Sequence, residues 1–267
     1  MSTVTTQTNL TAIAPGAGLN WNATSKDYAA FRPTYPASYF SLLQQLGIGR
    51  KDQRILDLGA GTGALSLPFA RQGASVVALD ASIGQLEQLE LRASQEGLDV
   101  RTLHRRAEDT GLPERDFDAI TASMCWGYFD KGEILPEVDR LLKPKGLLLV
   151  SALIWDHHDP VSRVTDALVA RYNPASVRRS HDDRFDPVPG WLQEPFRLRG
   201  YLAWNEPVPF TAEAWRGRIR ASKWIGAALH PEIVAQFDQE HAQALAPFGE
   251  RFEVSHRITL HIAERAR

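Results

Sequence analysis

The chain has 267 residues, enough to bury one large core and near the upper size that a single core supports. Its 30 basic side chains against 32 acidic ones, a net charge of −2, give no electrostatic attraction to nucleic acid. No apolar run approaches the roughly 18 residues of a membrane helix, and the single cysteine, Cys125, excludes an internal disulfide or a cysteine metal cage, so a soluble, cytoplasmic, globular product is expected.

Met1 to Gly18 is polar, rich in Thr and Ala, and without the basic flank or apolar run of a secretory leader, and it reads as a tail. Apolar runs followed by helical periodicity then set a βαβα rhythm. Strands are expected at Arg54–Leu58, Ser75–Asp80, Val100–His104, Phe117–Met124 and Leu147–Ile154, apolar on both faces as buried parallel strands are. Helices are expected after the first glycine turn from Ala64, after Asp80 through Glu96, and over Ile134–Leu142.

From Trp155 the rhythm changes. Asp159–Tyr172 reads as a helix, and Asn173–Pro195, dense in Pro, Arg, Asp and Trp, as irregular; together, residues 155–195 form an expected cap. Arg197–Asn205 alternates like a strand, Thr211–Leu229 and Pro231–Leu245 are helical with Thr211 and Pro231 as start signals, and Phe252–Ala263 closes as a strand that can lie antiparallel.

The densest signal is Ile55-Leu56-Asp57-Leu58-Gly59-Ala60-Gly61-Thr62-Gly63, a strand running into alternating glycines. Such a turn lets a ligand approach bare backbone. Gly59, Gly61 and Ala64 also satisfy the dinucleotide fingerprint, so a nicotinamide or flavin reading is legitimate. Asp57, two residues before the first glycine, answers an ammonium group and would repel a pyrophosphate, and Gly63 extends the open backbone. Asp80 ends the second strand, where a carboxylate takes both ribose hydroxyls of either cofactor; its bland alternative is a helix cap, which Ser82 can supply instead.

Read together with their neighbours, these segments resemble class I S-adenosylmethionine-dependent methyltransferases, and within them the trans-aconitate methyltransferase-like small-molecule group. The likeness runs from Tyr28 to about Ile154. Tyr28-Ala29-Ala30-Phe31-Arg32-Pro33-Thr34-Tyr35-Pro36 is similar to that group's N-terminal signature, Arg106 to Pro113 to its adenine loop, Phe117 to Ala122 to its fourth strand, and Leu142 to Val150 to the turn and strand that follow. The resemblance implies a Rossmann-like, doubly wound, seven-stranded, mostly parallel sheet with the last strand antiparallel. It also implies one cofactor-binding domain over residues 19–264, with an N-terminal lid at about 19–47. It assigns Asp57 and the Gly59, Ala60, Gly61 and Gly63 loop to the methionine moiety, Asp80 and Ala81 to ribose, and Ala107 and Glu108 to adenine. Tyr28, Arg32 and Ser123 complete the expected cofactor seat.

Two positions depart from the group. Arg106 stands where many relatives carry an acid, and Trp126-Gly127-Tyr128-Phe129 stands where relatives often read Phe-His-Trp-Phe. Methyl transfer from a sulfonium is an in-line displacement, in which a protein supplies alignment and, for some acceptors, a base. Base candidates are His157 and His158, in the Trp155-Asp156-His157-His158-Asp159 stretch where the fifth strand opens onto the cleft, and Tyr128. The bland alternative for the histidines is a solvent-facing helix start. Cys125 reads as an inert core thiol, and no spacing places a metal site.

Trp126, Tyr128, Trp155 and Trp191 offer aromatic walls for an acceptor or for the sulfonium, with core packing as the alternative. Arg179, with Arg178, His181 and Arg184, can recruit an anionic acceptor or form a solvated surface. The expected activity is methyl transfer to oxygen, nitrogen or carbon of a small molecule, by a monomer or homodimer, with no nucleic acid or membrane as partner. Other chemistry on the same cofactor, such as a cyclisation, and an NAD(P)-dependent oxidoreductase are the alternatives.

Overall fold

A computed structural model describes residues 30–31, 34–176 and 186–265. Fourteen elements longer than a single turn alternate along them. They are α1 (Ala37–Gln45), β1 (Arg54–Leu58), α2 (Ser66–Arg71), β2 (Ser75–Asp80), α3 (Ile83–Glu96), β3 (Val100–His104) and β4 (Phe117–Ser123), then α4 (Lys131–Leu141), β5 (Leu142–Trp155), α5 (Pro160–Tyr172), β6 (Phe196–Thr211), α6 (Ala212–Arg220), α7 (Pro231–Leu245) and β7 (Arg251–Arg265).

The strands form one seven-stranded sheet in the order β3-β2-β1-β4-β5-β7-β6, in which β7 runs antiparallel to both neighbours. The expected doubly wound architecture is therefore the observed one. Strand order reverses between β1 and β4, which pair in register from Ile55 opposite Ala119 to Leu58 opposite Ala122. A crevice outside the carboxyl ends of the strands opens at such a reversal.

The alternation of β1 explains its two faces. Leu56 and Leu58 join Val77, Leu79, Ile120 and the α4 residues Ile134, Val138 and Leu141 in one core. Ile55 faces the other way, with Tyr39 and Leu43 of α1, Phe69 of α2 and Ile258, Leu260 and Ile262 of β7. Asp57, in phase with Ile55, is thus carried to the α1–α2 side.

Several boundaries differ from the sequence reading, for local reasons. The strand expected at Leu147–Ile154 starts at Leu142, because the Lys143-Pro144-Lys145-Gly146 turn is taken up as an irregularity in the pairing with β4. The strand expected to stop at Asn205 continues to Thr211 despite Pro207 and Pro209. It is the outermost strand, and prolines are tolerated where an edge amide has no partner to lose. The helix expected over Thr211–Leu229 ends at Arg220 and is followed by turns.

Past Trp155, β6 and β7 keep pairing, from Glu206 opposite His256 to Thr211 opposite Arg251. This extension, with α5, α6 and α7, encloses another core around Trp215, Phe237, Val208, Phe210 and Val254. This core draws on Val161, Leu168 and Val169 from within residues 155–195 and otherwise on residues after 195. Among the described residues, no helix is long and apolar enough to cross a membrane, and no cluster of His, Cys, Asp or Glu is arranged to hold a metal ion.

Candidate active site

The turn after β1 is shaped by its glycines. Gly59 has φ of 61°, and a Cβ there would lie 2.7 Å from Cβ of Cys125; Gly63 has φ of 88°, and a Cβ would lie 2.9 Å from Cγ of Leu67. Both positions combine left-handed backbone with neighbours that leave no room for a side chain. Cys125 itself donates to the Leu58 carbonyl at 3.0 Å, and burial holds its thiol well above the ordinary range, which makes it a packing group.

Asp80, at the end of β2, ties the two neighbouring turns together. One carboxylate oxygen accepts the Gly61 amide at 2.8 Å, and the other accepts the Ser82 amide at 2.8 Å, at the start of α3. Burial raises its pKa, and these backbone donors oppose the rise. Asp80 thus fixes the loop against the sheet edge and caps the next helix. The Ala81 amide is a further backbone donor, and since a carboxylate offers about four acceptor sites, acceptor capacity remains on the group. Nearby, the Ala81 carbonyl is within 3.1 Å of Nε2 of His104.

Asp57 is buried, 2% exposed, and accepts two hydroxyl hydrogen bonds, from Ser66 at 2.6 Å and Thr121 at 2.8 Å. Burial pushes its pKa up to about 6; the hydroxyls of Ser66 and Thr121 hold it down, and the charge of Asp80 adds to the rise. No Lys or Arg of the described residues forms an ion pair with it. A second polar group lies nearby, where the Tyr35 hydroxyl is 2.9 Å from Oγ of Ser123 and 3.3 Å from Oγ of Ser151, joining the segment before α1 to the end of β4 and the body of β5. Ala107 is buried, and Glu108 accepts the Asp130 amide at 3.2 Å and pairs with Arg106 at 3.5 Å.

The aromatic residues divide between two cores. Trp126 and Trp191 are both 6% exposed and meet edge to face with centroids 5.1 Å apart, in the α4-side core with Ala107. Trp155 packs edge to face on Trp215 at 5.6 Å in the cap core. Tyr128, on a short 3₁₀ turn after β4, is partly exposed and lies under the Lys223 ammonium at 5.4 Å. His157 pairs with Asp166 of α5, whereas His158 is exposed and only its backbone amide is bonded, to Asp156 at 2.9 Å. Tyr28, Arg32 and Arg179, with Arg178, His181 and Arg184, lie outside the described residues.

Asp166 and Ser66 fall outside the motifs of the sequence, and Tyr35 and Thr121, though inside family-like segments, carry no role there. Asp166 sits on the helix after His157 and pairs with it only once that helix folds back. The hydroxyls carry no spacing of their own; their signal is the buried acid of β1, which needs donors from neighbouring elements.

Residues 55–146, from β1 to the first turn of β5, match the family described as a methyltransferase domain. The likeness to that family covers about a third of the chain. Among curated proteins, an uncharacterized methyltransferase of Mycobacterium bovis is 33% identical over 132 residues, 49% of this chain and 50% of the relative. The uncharacterized methyltransferase YcgJ of Bacillus subtilis is 28% identical over 180 residues, 65% of this chain and 69% of the relative. The chain thus spans about half the length of the first of these relatives. The crystal structure of YcgJ superimposes with a TM-score of 0.55 at 20% identity, covering 87% of this chain and 100% of that one, a likeness of fold alone. The matched segment contains the glycine loop, Asp57, Asp80 and the Ala107–Glu108 pair, and the core around Trp215 and Phe237 lies outside it.

Proposed function

We propose that the protein is a class I S-adenosylmethionine-dependent methyltransferase that acts, in the cytoplasm, on a small molecule, as in the trans-aconitate methyltransferase-like group. The observation that carries the reading is the Asp80 carboxylate, held by backbone amides including those of Gly61 and Ser82 at the carboxyl edge of β2, with acceptor capacity left for a ribose hydroxyl.

The residues present suit this cofactor. Gly59 and Gly63 keep the loop free of side chains, and Asp57 is a buried carboxylate that gains from a nearby ammonium. In this reading Asp57 and the loop hold the methionine moiety, Asp80 the ribose, and Ala107 with Glu108 the adenine edge. When bound, the cofactor supplies an electrophilic methyl group on a sulfonium. The chain's part is to align the acceptor, exclude water and receive any proton the acceptor must lose. Tyr128 and His157, beside the ends of β4 and β5, are the residues that flank the acceptor.

The test is isothermal titration of the protein with S-adenosylmethionine, S-adenosylhomocysteine and NADH. The adenosyl ligands are expected to bind, NADH to fail, and Asp80→Asn, with its fold checked by circular dichroism, to weaken binding at least tenfold. Binding of NADH alone would make the loop a dinucleotide site.

A further inference from the structure

A cavity of about 350 Å³ lies at the amino ends of the parallel strands, opposite the end that carries the glycine loop. It is bounded by the turn after α1, by Asp118 near the start of β4, by residues 143–147 of β5 and by Arg199 of β6. The five residues of β1 run between the two ends, roughly 16 Å of strand. Three departures from regular backbone meet at this cavity. Pairing of β4 with β5 passes from Phe117 opposite Leu142 to Ala119 opposite Leu147, so Asp118 falls at the irregularity and residues 143–146 loop out. Pairing of β6 with β7 passes from Leu198 opposite Ala263 to Gly200 opposite Ile262, which leaves Arg199 as the extra residue of a bulge. Lys145 has φ of 65°, a left-handed backbone that favours glycine. Bulges re-aim side chains, and strained backbone gathers where a site has a use for it.

The charges around the cavity do not cancel. Lys143 is answered by both oxygens of Asp118 at 3.0 Å, and Asp118 also accepts the Arg54 amide at 2.8 Å. Glu264 is shared between Arg197, at 2.6 Å, and Arg199, at 3.5 Å. Lys145 has no acidic partner among the described residues, and neither has Arg50, whose guanidinium packs against Gly47 at the cavity wall. Positive charge is therefore in excess at the rim. The floor is apolar: Ile48 and Ala119 are each 2% exposed, and Leu147 packs against the same core.

We propose that this cavity is a second ligand site, separate from the glycine loop, for a phosphate monoester that carries a compact apolar group. The phosphate lies between Lys145 and Arg199, and the apolar group rests on Ile48, Ala119 and Leu147. A phosphate monoester carries nearly two negative charges at neutral pH and three acceptor oxygens, which suits a lysine point charge together with an arginine fork. Inorganic phosphate would leave the apolar floor unused, and a neutral aromatic compound would leave the cationic excess unanswered. The proposal stands apart from the methyltransferase reading, since no residue of it belongs to the proposed cofactor seat.

Isothermal titration of the full chain with phenyl phosphate tests the assignment. It is run with and without S-adenosylhomocysteine, because a glycine loop can also take a phosphate. Phenyl phosphate is expected to bind at least fivefold tighter than inorganic phosphate or phenol, with a Kd of about 1 mM or below. Lys145→Asn, which tolerates the left-handed backbone, and Arg199→Gln are each expected to weaken it at least fivefold with the circular dichroism spectrum unchanged. Lys51→Asn removes an exposed lysine that lies against Gly73, outside the cavity, and is expected to leave binding as it was. Inorganic phosphate that binds as tightly as phenyl phosphate overturns the proposal. So does an equal loss in Lys51→Asn, wild-type affinity in both Lys145→Asn and Arg199→Gln, displacement by S-adenosylhomocysteine, or no binding at all up to about 5 mM. Failure of S-adenosylhomocysteine to bind would count against the cofactor reading alone, since the Lys145 and Arg199 variants decide the cavity in either case.

Discussion

Two buried ionisable residues pull the pH dependence of stability in opposite directions. His241, on α7, has Nε2 3.0 Å from the Thr165 hydroxyl, which also accepts the Trp215 indole at 2.9 Å and donates to the Val161 carbonyl at 2.9 Å. That hydrogen is committed, so His241 donates from Nε2, and Nδ1 is left bare and buried. Burial pushes its pKa down to about 4 from 6.5. The unfolded chain binds the extra proton first, so stability is full above pH 6.5 and falls as pH drops toward 4, by up to about 3 kcal/mol. Calorimetry at pH 7.5 and 5 is expected to show a loss in Tm that shrinks in His241→Gln. Asp57 has the reverse sign. Its folded pKa of about 6 lies above the ordinary 3.8, so its contribution is present at low pH and is lost as pH rises through 6. Asp57→Asn is therefore expected to raise the Tm of the ligand-free protein at pH 7.5 by roughly 2–6 °C while weakening S-adenosylhomocysteine, which titration of the same sample measures. A variant that gains no stability would mean that the Ser66 and Thr121 hydroxyls fully offset the burial of the charge.

At the scale of elements, α6 is the piece on which others converge. Gly217 lies against the ring of Phe31, and a Cβ built there would fall 2.2 Å from a ring carbon. Arg220, one turn on, covers the same ring at 5.7 Å. Gly217→Ala is expected to destabilise by about 1–3 kcal/mol through this clash, outweighing the helix-propensity gain of about 1 kcal/mol. In the Phe31→Ala background the same change should be neutral or stabilising, and a double-mutant cycle in urea reads the difference. None of this convergence is visible in the primary structure, where Gly217 looks like a weak point in a polar helix. The elements that were legible are those with a local cause: β1, β2 and β3 are bounded by turns and glycines, α7 by Pro231, and α5 by Asp159, whose side chain accepts the Val161 amide at 2.9 Å. The ends of β5 and β6 were not legible, because the start of β5 is set by Leu142 pairing with Phe117 of β4 across an irregular register, and the extra length of β6 comes from pairing with β7. The site divides the same way. The loop of Gly59, Gly61 and Gly63 and the Asp80 that binds it lie within one βαβ unit and announce themselves, whereas Asp166, Thr121 and Tyr35 meet their partners only through tertiary packing.

The whole molecule has one sheet and two working ends of its strands. The matched domain, residues 55–146, holds the left half of the sheet and the glycine loop. The half made by β5, β7 and β6 runs on past it to support the cap. β7 serves both parts at once, with Ile258, Leu260 and Ile262 in the main core and Val254 in the cap core. The cap is thus not a cassette inserted at one point of the chain: it draws on the ends of three strands and on helices spread between residues 160 and 245. Wholesale exchange of a contiguous segment of this extension is closed to the architecture, since any such segment would carry off strands that the matched half of the sheet needs. Change there has to proceed side chain by side chain, on a frame that both halves own in common.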